Sequence, residues 1–175
     1  QGIQAVSGFF REAITQATQF EDTLFRLKNA EQALSLEGIE VSLKGLKKGI
    51  QDIKDLFPIF SKEDITQVVS KVAISTKQLE FNEQQILDTA KAIAVYNIRS
   101  TEQETIAETT SKIMTAMISK SSAGAAQLGF SFNDIAMRAM AMELNLIKAG
   151  DSLEGLSEHE RGIIKLAILL KGAGV

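Results

Sequence analysis

The sequence predicts an all-α protein: a long N-terminal helical hairpin or arm over residues 1–58, then a bundle of short amphipathic helices over 59–175 packed with the arm as one unit. Three observations carry that prediction. Apolar residues recur at spacings of three and four through most of the chain. Proline occurs once, at Pro58. Runs that alternate Val, Ile, Thr and aromatics between turn residues, the mark of strands, are nearly absent.

The arm comes first. Ile3, Val6, Phe10, Ala13, Ala17, Phe20, Leu24 and Leu27 line one face of a first helix of about 25 residues. Leu36, Ile39, Leu43, Leu46, Ile50, Ile53 and Phe57 line a second, closed by Pro58, whose ring cannot continue a helix. Two seams separated by a polar break favour an antiparallel hairpin. Continuation as a single arm, or a coiled coil between subunits, is left open. Phe10, Phe20, Leu24, Leu27, Leu43, Leu46, Ile50 and Ile53 are the candidate packing and interaction residues.

Beyond Pro58 one helix-start pattern recurs: Ser61 with Asp64, Ser75 with Gln78, Ser100 with Gln103, Ser131 with Asp134, and Ser157 with Glu160. In each, the Ser hydroxyl can accept from a first-turn amide while the residue three positions on reaches back to the serine's own N–H. Phe60 with Ile65, Ile74 with Leu79, and Phe130 with Ile135 add apolar staples across three of these starts. The expected inner faces follow in order. They are Val68, Val69 and Val72, then Leu79, Ile86, Ala90 and Ile93. Next come Ile106, Thr110, Ile113 and Met117, then Ile135, Ala139, Met142 and Leu146, and last Ile164, Ala167 and Ile168. Loops are expected near 97–100, 119–129 and 150–156, where Ser, Gly and Asp gather.

Composition narrows the function. A net charge of −3 offers no general attraction to nucleic acid. One Tyr and no Trp leave few stacking platforms for single strands. Without cysteine there is no disulfide, thiolate metal site or thiol nucleophile. The most apolar stretch, 162–170, is interrupted by Lys165 and falls short of the roughly 20 residues a bilayer requires, so no membrane span is expected. His159, the only histidine, sits beside Glu160 in a capping box and reads as a solvent-facing first-turn residue. Glu21–Asp22 and Glu102–Glu104 read as solvated charge. Lys44, Lys47 and Lys48 form the wet side of the second helix, and Gly45 with Gly49 suggests a close helix approach in water. The methionines between Met114 and Met142 read as core. No catalytic, metal or cofactor residues stand out, and the chain is expected not to be an enzyme. It opens at Gln1 without a Met, so a processed product or part of something longer is expected.

Several segments resemble the conserved region of bacteriophage tail tape-measure proteins. Phe20-Glu21-Asp22-Thr23-Leu24 is similar to its opening aromatic–Glu–Asp step. Ala73-Ile74-Ser75 and Asn97-Ile98-Arg99-Ser100-Thr101 are similar to its later Ile–Ser/Thr steps. Leu156-Ser157-Glu158-His159-Glu160-Arg161, followed by 163–170, resembles its start of an Ala- and Leu-rich helix. The likeness spreads over residues 15–172. It implies a virion structural protein in the tail lumen, assembled in the host cytoplasm, that templates tube length and leaves ahead of the DNA. The implied partners are tail-tube, tail-tip or tail-assembly chaperone proteins, with possible self-association. It brings no catalytic residues, and none of the membrane spans or wall-degrading domains that some members carry. Fully helical, 175 residues reach only roughly 260 Å, too short to measure a long tail alone. The alternative is a non-enzymatic helical adaptor of another assembly or of a secretion system.

Overall fold

The computed structural model describes residues 21–119 and 128–175, and the described chain is all-helical, with no strand among those residues. Helix α1 covers residues 21–36 of the described chain. Then follow α2 (Leu43–Leu56), α3 (Lys62–Ser75), a single 3-10 turn at Lys77–Leu79, α4 (Glu83–Arg99), α5 (Ile106–Ile118), α6 (Asp134–Glu143) and α7 (Glu158–Ala173).

Helix α4 is the centre. It touches α2, α3, α5 and α7, and Ala92, Ile93 and Ala94 are buried in succession. Three consecutive buried positions cover most of the way round the helix, more than the single stripe of a surface helix. Phe81, just before it, is completely buried. Around this axis the outer helices bury one stripe each: Leu27, Ala30 and Leu34 on α1, Leu46, Ile50 and Ile53 on α2, Ile113 and Met117 on α5, Ile164 and Leu169 on α7.

The break between the first two helices differs from expectation in its position. Leu36 ends α1 and is 88% exposed, and the second helix starts seven residues later. Gly38 is the reason. At φ +77° it takes the left-handed conformation, so the Ile39 N–H reaches the Leu34 carbonyl at 3.1 Å and the Gly38 N–H reaches Ser35 at 3.1 Å. That pair of bonds closes α1 with Ile39 folded back toward Leu34. Moreover, α2 packs on α3 and α4.

Two of the five serine starts form. Ser61 with Asp64 and Ser157 with Glu160 make reciprocal capping boxes. The other three are displaced. Ser75 is the last residue of α3, held in helical backbone by a segment whose Val72, Ala73 and Thr76 are buried, so it cannot take the extended conformation of a cap. Asn82 with Gln85 opens α4 instead. Ser100 closes α4, and α5 begins at Thr105 with Glu108, an ionised acceptor that makes a stronger box than Gln103 can. Before α6, Ser131 Oγ accepts from the Asn133 N–H at 3.2 Å, and Asn133 is the cap. The staple at Phe60 and Ile65 has both residues buried, whereas Ile74 and Ile135 are 57% and 80% exposed. On α6 the inner face is Met137, Met140 and Ala141; the expected face of Ile135, Ala139 and Met142 looks outward.

Candidate interaction surface

Of the candidate seam residues, Phe10 and Phe20 lie outside the described residues. Leu27 and Leu46 are fully buried, Ile50 and Ile53 are 1% exposed, and Leu24 and Leu43 are half-buried. Four of the six described seam residues are therefore interior, and Leu24 and Leu43 lie at a partly exposed edge. Lys44, Lys47 and Lys48 are exposed on the opposite side of α2. Gly45 and Gly49 do mark a close approach, but to α4: a Cβ at Gly45 would overlap the Glu83 carboxylate, and one at Gly49 would overlap the Leu87 side chain.

That approach completes a cap that the sequence of α2 cannot make by itself. Ser42 caps α2, and its Oγ accepts from the Gly45 N–H at 3.0 Å. The residue that would return the bond in a capping box is Gly45, which has no side chain. Glu83 stands in from α4: its Oε2 accepts from the Ser42 N–H at 2.8 Å and from Ser42 Oγ at 3.0 Å.

Other distinctive polar side chains act in a similar way, tying a helix to another helix or to a loop. Lys165 of α7 is half-buried and donates to the carbonyls of Met117 at 2.9 Å, Ser119 at 3.0 Å and Ala116 at 3.4 Å, with its ammonium 5.5 Å from the Phe132 ring centre. A cation suits the negative end of α5. Burial pushes its pKa below the ordinary 10.5, opposed by the charge of Glu158. His159 is half-buried rather than solvent-facing, with Nδ1 2.7 Å from the Leu79 carbonyl. The Tyr96 hydroxyl donates to the Leu169 carbonyl at 3.2 Å, and burial raises its pKa above 10.0. Arg161 donates to the Leu153 carbonyl at 2.8 Å. Asn97 donates to the Glu104 carbonyl at 3.0 Å and to Thr109 Oγ1 at 2.8 Å, while Lys112 pairs with Glu104. Neither Lys165 nor Tyr96 carries a periodic or motif signal, because each partner is a backbone carbonyl tens of residues away. The caps at Asn82 and Thr105 did carry one: Asn82-x-x-Gln85 and Thr105-x-x-Glu108 are themselves box patterns.

Two of the surface openings among the described residues have mainly apolar walls. A groove of about 470 Å³ lies between Arg26 of α1, Val68 and Ile74 of α3, and Ile106 of α5, with Ser70 buried along it. A second, about 350 Å³, runs beside Ile135, Ala139 and Met142 of α6 and Ile147. Among the described residues no group of His, Cys, Asp and Glu is placed to hold a metal ion, and no helix is long and apolar enough to cross a membrane. Met114, Met117, Met137 and Met140 are buried, and Met142 is 42% exposed. Comparison of the chain with protein-family models, curated proteins and solved structures returned no match.

Proposed function

We propose that this chain is a helical structural domain of a phage-tail tape-measure protein, acting by contact with tail components and not by catalysis. In this reading residues 1–58 and 59–175 act as one packed unit in the tail lumen. The observation that carries the structural part is the use made of the polar side chains. Lys165, His159, Tyr96, Arg161 and Glu83 each tie one segment to the backbone of another. Groups committed to holding helices together suit a part whose task is to keep a shape. The tail part rests on the sequence resemblance, of which Leu156–Arg161 opens a helix, while Ser75 and Ser100 close helices.

One observation favours the second reading, an adaptor module of another assembly or secretion system. Leu27, Leu46, Ile50 and Ile53 are closed inside the fold, so most of the described seam is already occupied and is not left to lie along a tube. The experiment is made on tailed particles produced by the genome that encodes the chain. Mass spectrometry should find the chain in purified tails, and an in-frame duplication of its gene segment should change tail length. Particles that lack the chain, or tails of unchanged length after duplication, would reject the tape-measure reading and leave the adaptor.

A further inference from the structure

Helix α6 is apolar on two sides. Met137, Met140 and Ala141 face the core. Ile135, Ala139 and Met142 form a second stripe, at i, i+4 and i+7, on the outside, where Ile135 is 80% and Met142 42% exposed. A surface helix normally has one apolar stripe, and a contiguous second one marks a contact site. We propose that this stripe docks a second copy of the chain, α6 against α6, antiparallel about a two-fold axis near Met137.

The pattern along the helix matches itself on reversal. Ile135 is large, and Ala139, one turn on, is small. Antiparallel pairing seats the isoleucine of each copy over the alanine of the other, as a knob over a hole, and does so twice by symmetry. The flank carries the same logic in charge. Asp134 and Arg138 stand one turn apart, their oxygen and nitrogen 3.9 Å from each other, and in this register the acid of one copy comes within two residues, roughly 3 Å along the helix, of the base of the other. The groove edge holds two acids, Asp134 and Asp151, and two bases, Arg138 and Lys148. A strongly acidic or strongly basic partner would meet as much repulsion as attraction there, whereas a second copy meets its complement. A single ten-residue helix buries less area than a standard interface, so the dimer is weak and appears only in concentrated protein or where copies are held side by side.

Sedimentation equilibrium on the full chain, up to a concentration on the order of 1 mM, tests this. The wild type should show a monomer–dimer equilibrium. Ile135→Asp should raise the dissociation constant at least about tenfold, with helicity and melting unchanged because the side chain is already in water. Asp134→Arg should weaken the dimer by placing like charges across the axis. The double exchange of Asp134→Arg with Arg138→Asp should bring affinity back to within about threefold of wild type. A wild type that stays monomeric throughout overturns the proposal, as does a dimer indifferent to Ile135→Asp. Failure of the double exchange to recover affinity, with the variant folded by circular dichroism, overturns the antiparallel arrangement.

Discussion

Replacing Gly45 by Ala should destabilise this protein, although the same change in a free helix would help. Alanine is preferred to glycine in a helix by roughly 1 kcal/mol. Here the new methyl falls where the Glu83 carboxylate sits, and that carboxylate must swing away. It then loses two bonds to Ser42, of 2.8 and 3.0 Å. Hydrogen bonds to a charged group contribute about 1.5–3 kcal/mol when sheltered, and the lower end applies at this solvent-facing site. Two such bonds against one propensity gain leave a net loss of about 1–2 kcal/mol. In the Glu83→Ala background there is nothing left to displace, so Gly45→Ala should become stabilising by up to about 1 kcal/mol. The sign therefore reverses between backgrounds. Urea denaturation of the wild type, both single variants and the double variant measures the coupling as a cycle. If Gly45→Ala stabilises the wild type as much as it stabilises Glu83→Ala, the cap supplied by α4 contributes nothing and the reasoning fails.

Removal of the hydroxyl in Ser61→Ala or Ser157→Ala should cost about 0.5–2 kcal/mol by urea midpoint, because both serines complete capping boxes. Ser75→Ala, at a helix end with no cap to lose, should stay within about 0.5 kcal/mol of wild type. The alkaline limb of stability should carry two opposed contributions. Lys165 binds its proton less tightly folded than unfolded, so its contribution to stability rises as pH climbs from the folded value to the ordinary 10.5. Tyr96 holds its proton longer when folded, so its contribution falls as pH climbs from 10.0 through the folded value. Lys165→Met should therefore remove a rise and Tyr96→Phe a fall, read from melting temperature against pH relative to wild type. In acid, the Thr105 backbone N–H and hydroxyl hold the Glu108 pKa below the ordinary 4.5, so its support of α5 is present above 4.5 and lost as pH falls through the folded value. Glu108→Gln should flatten that acid loss, and an unchanged acid limb would count against the box.

Much of the helical content was legible because each outer helix buries one stripe, and a stripe is a property of local spacing. Val68, Val69 and Val72, or Ile106, Thr110, Ile113 and Met117, are read from the sequence and found buried in the structure. Helix boundaries were less legible. Ser75 and Ser100 have the composition of caps, yet the chain around them stays helical until Thr76 and Ser100 themselves close the helices. A cap is chosen by which start presents the right face to the core, and that is a tertiary decision. Helix α6 shows the limit most clearly. Both of its sides are apolar, so periodicity alone cannot say which turns inward. The structure selects Met137, Met140 and Ala141. The struts were illegible for a different reason. Lys165 meets carbonyls 46 to 49 positions away, and any residue can supply a carbonyl.

Leu46→Asp is the most direct test of whether the second seam is closed within each chain or reserved for contact between chains. Leu46 is fully buried beside Ile50 and Ile53, and α2 packs on α3 and α4. A charge there has no partner and should cost about 4 kcal/mol or more, lowering the melting temperature by on the order of 10 °C. Circular dichroism with light scattering on the wild type and this variant reads both outcomes at once. The expected result is lost helicity and a lower melting point with no release of folded subunits. Stable, folded monomers freed from a wild-type oligomer would place the seam between chains, and helicity and melting left untouched would show that it packs against nothing.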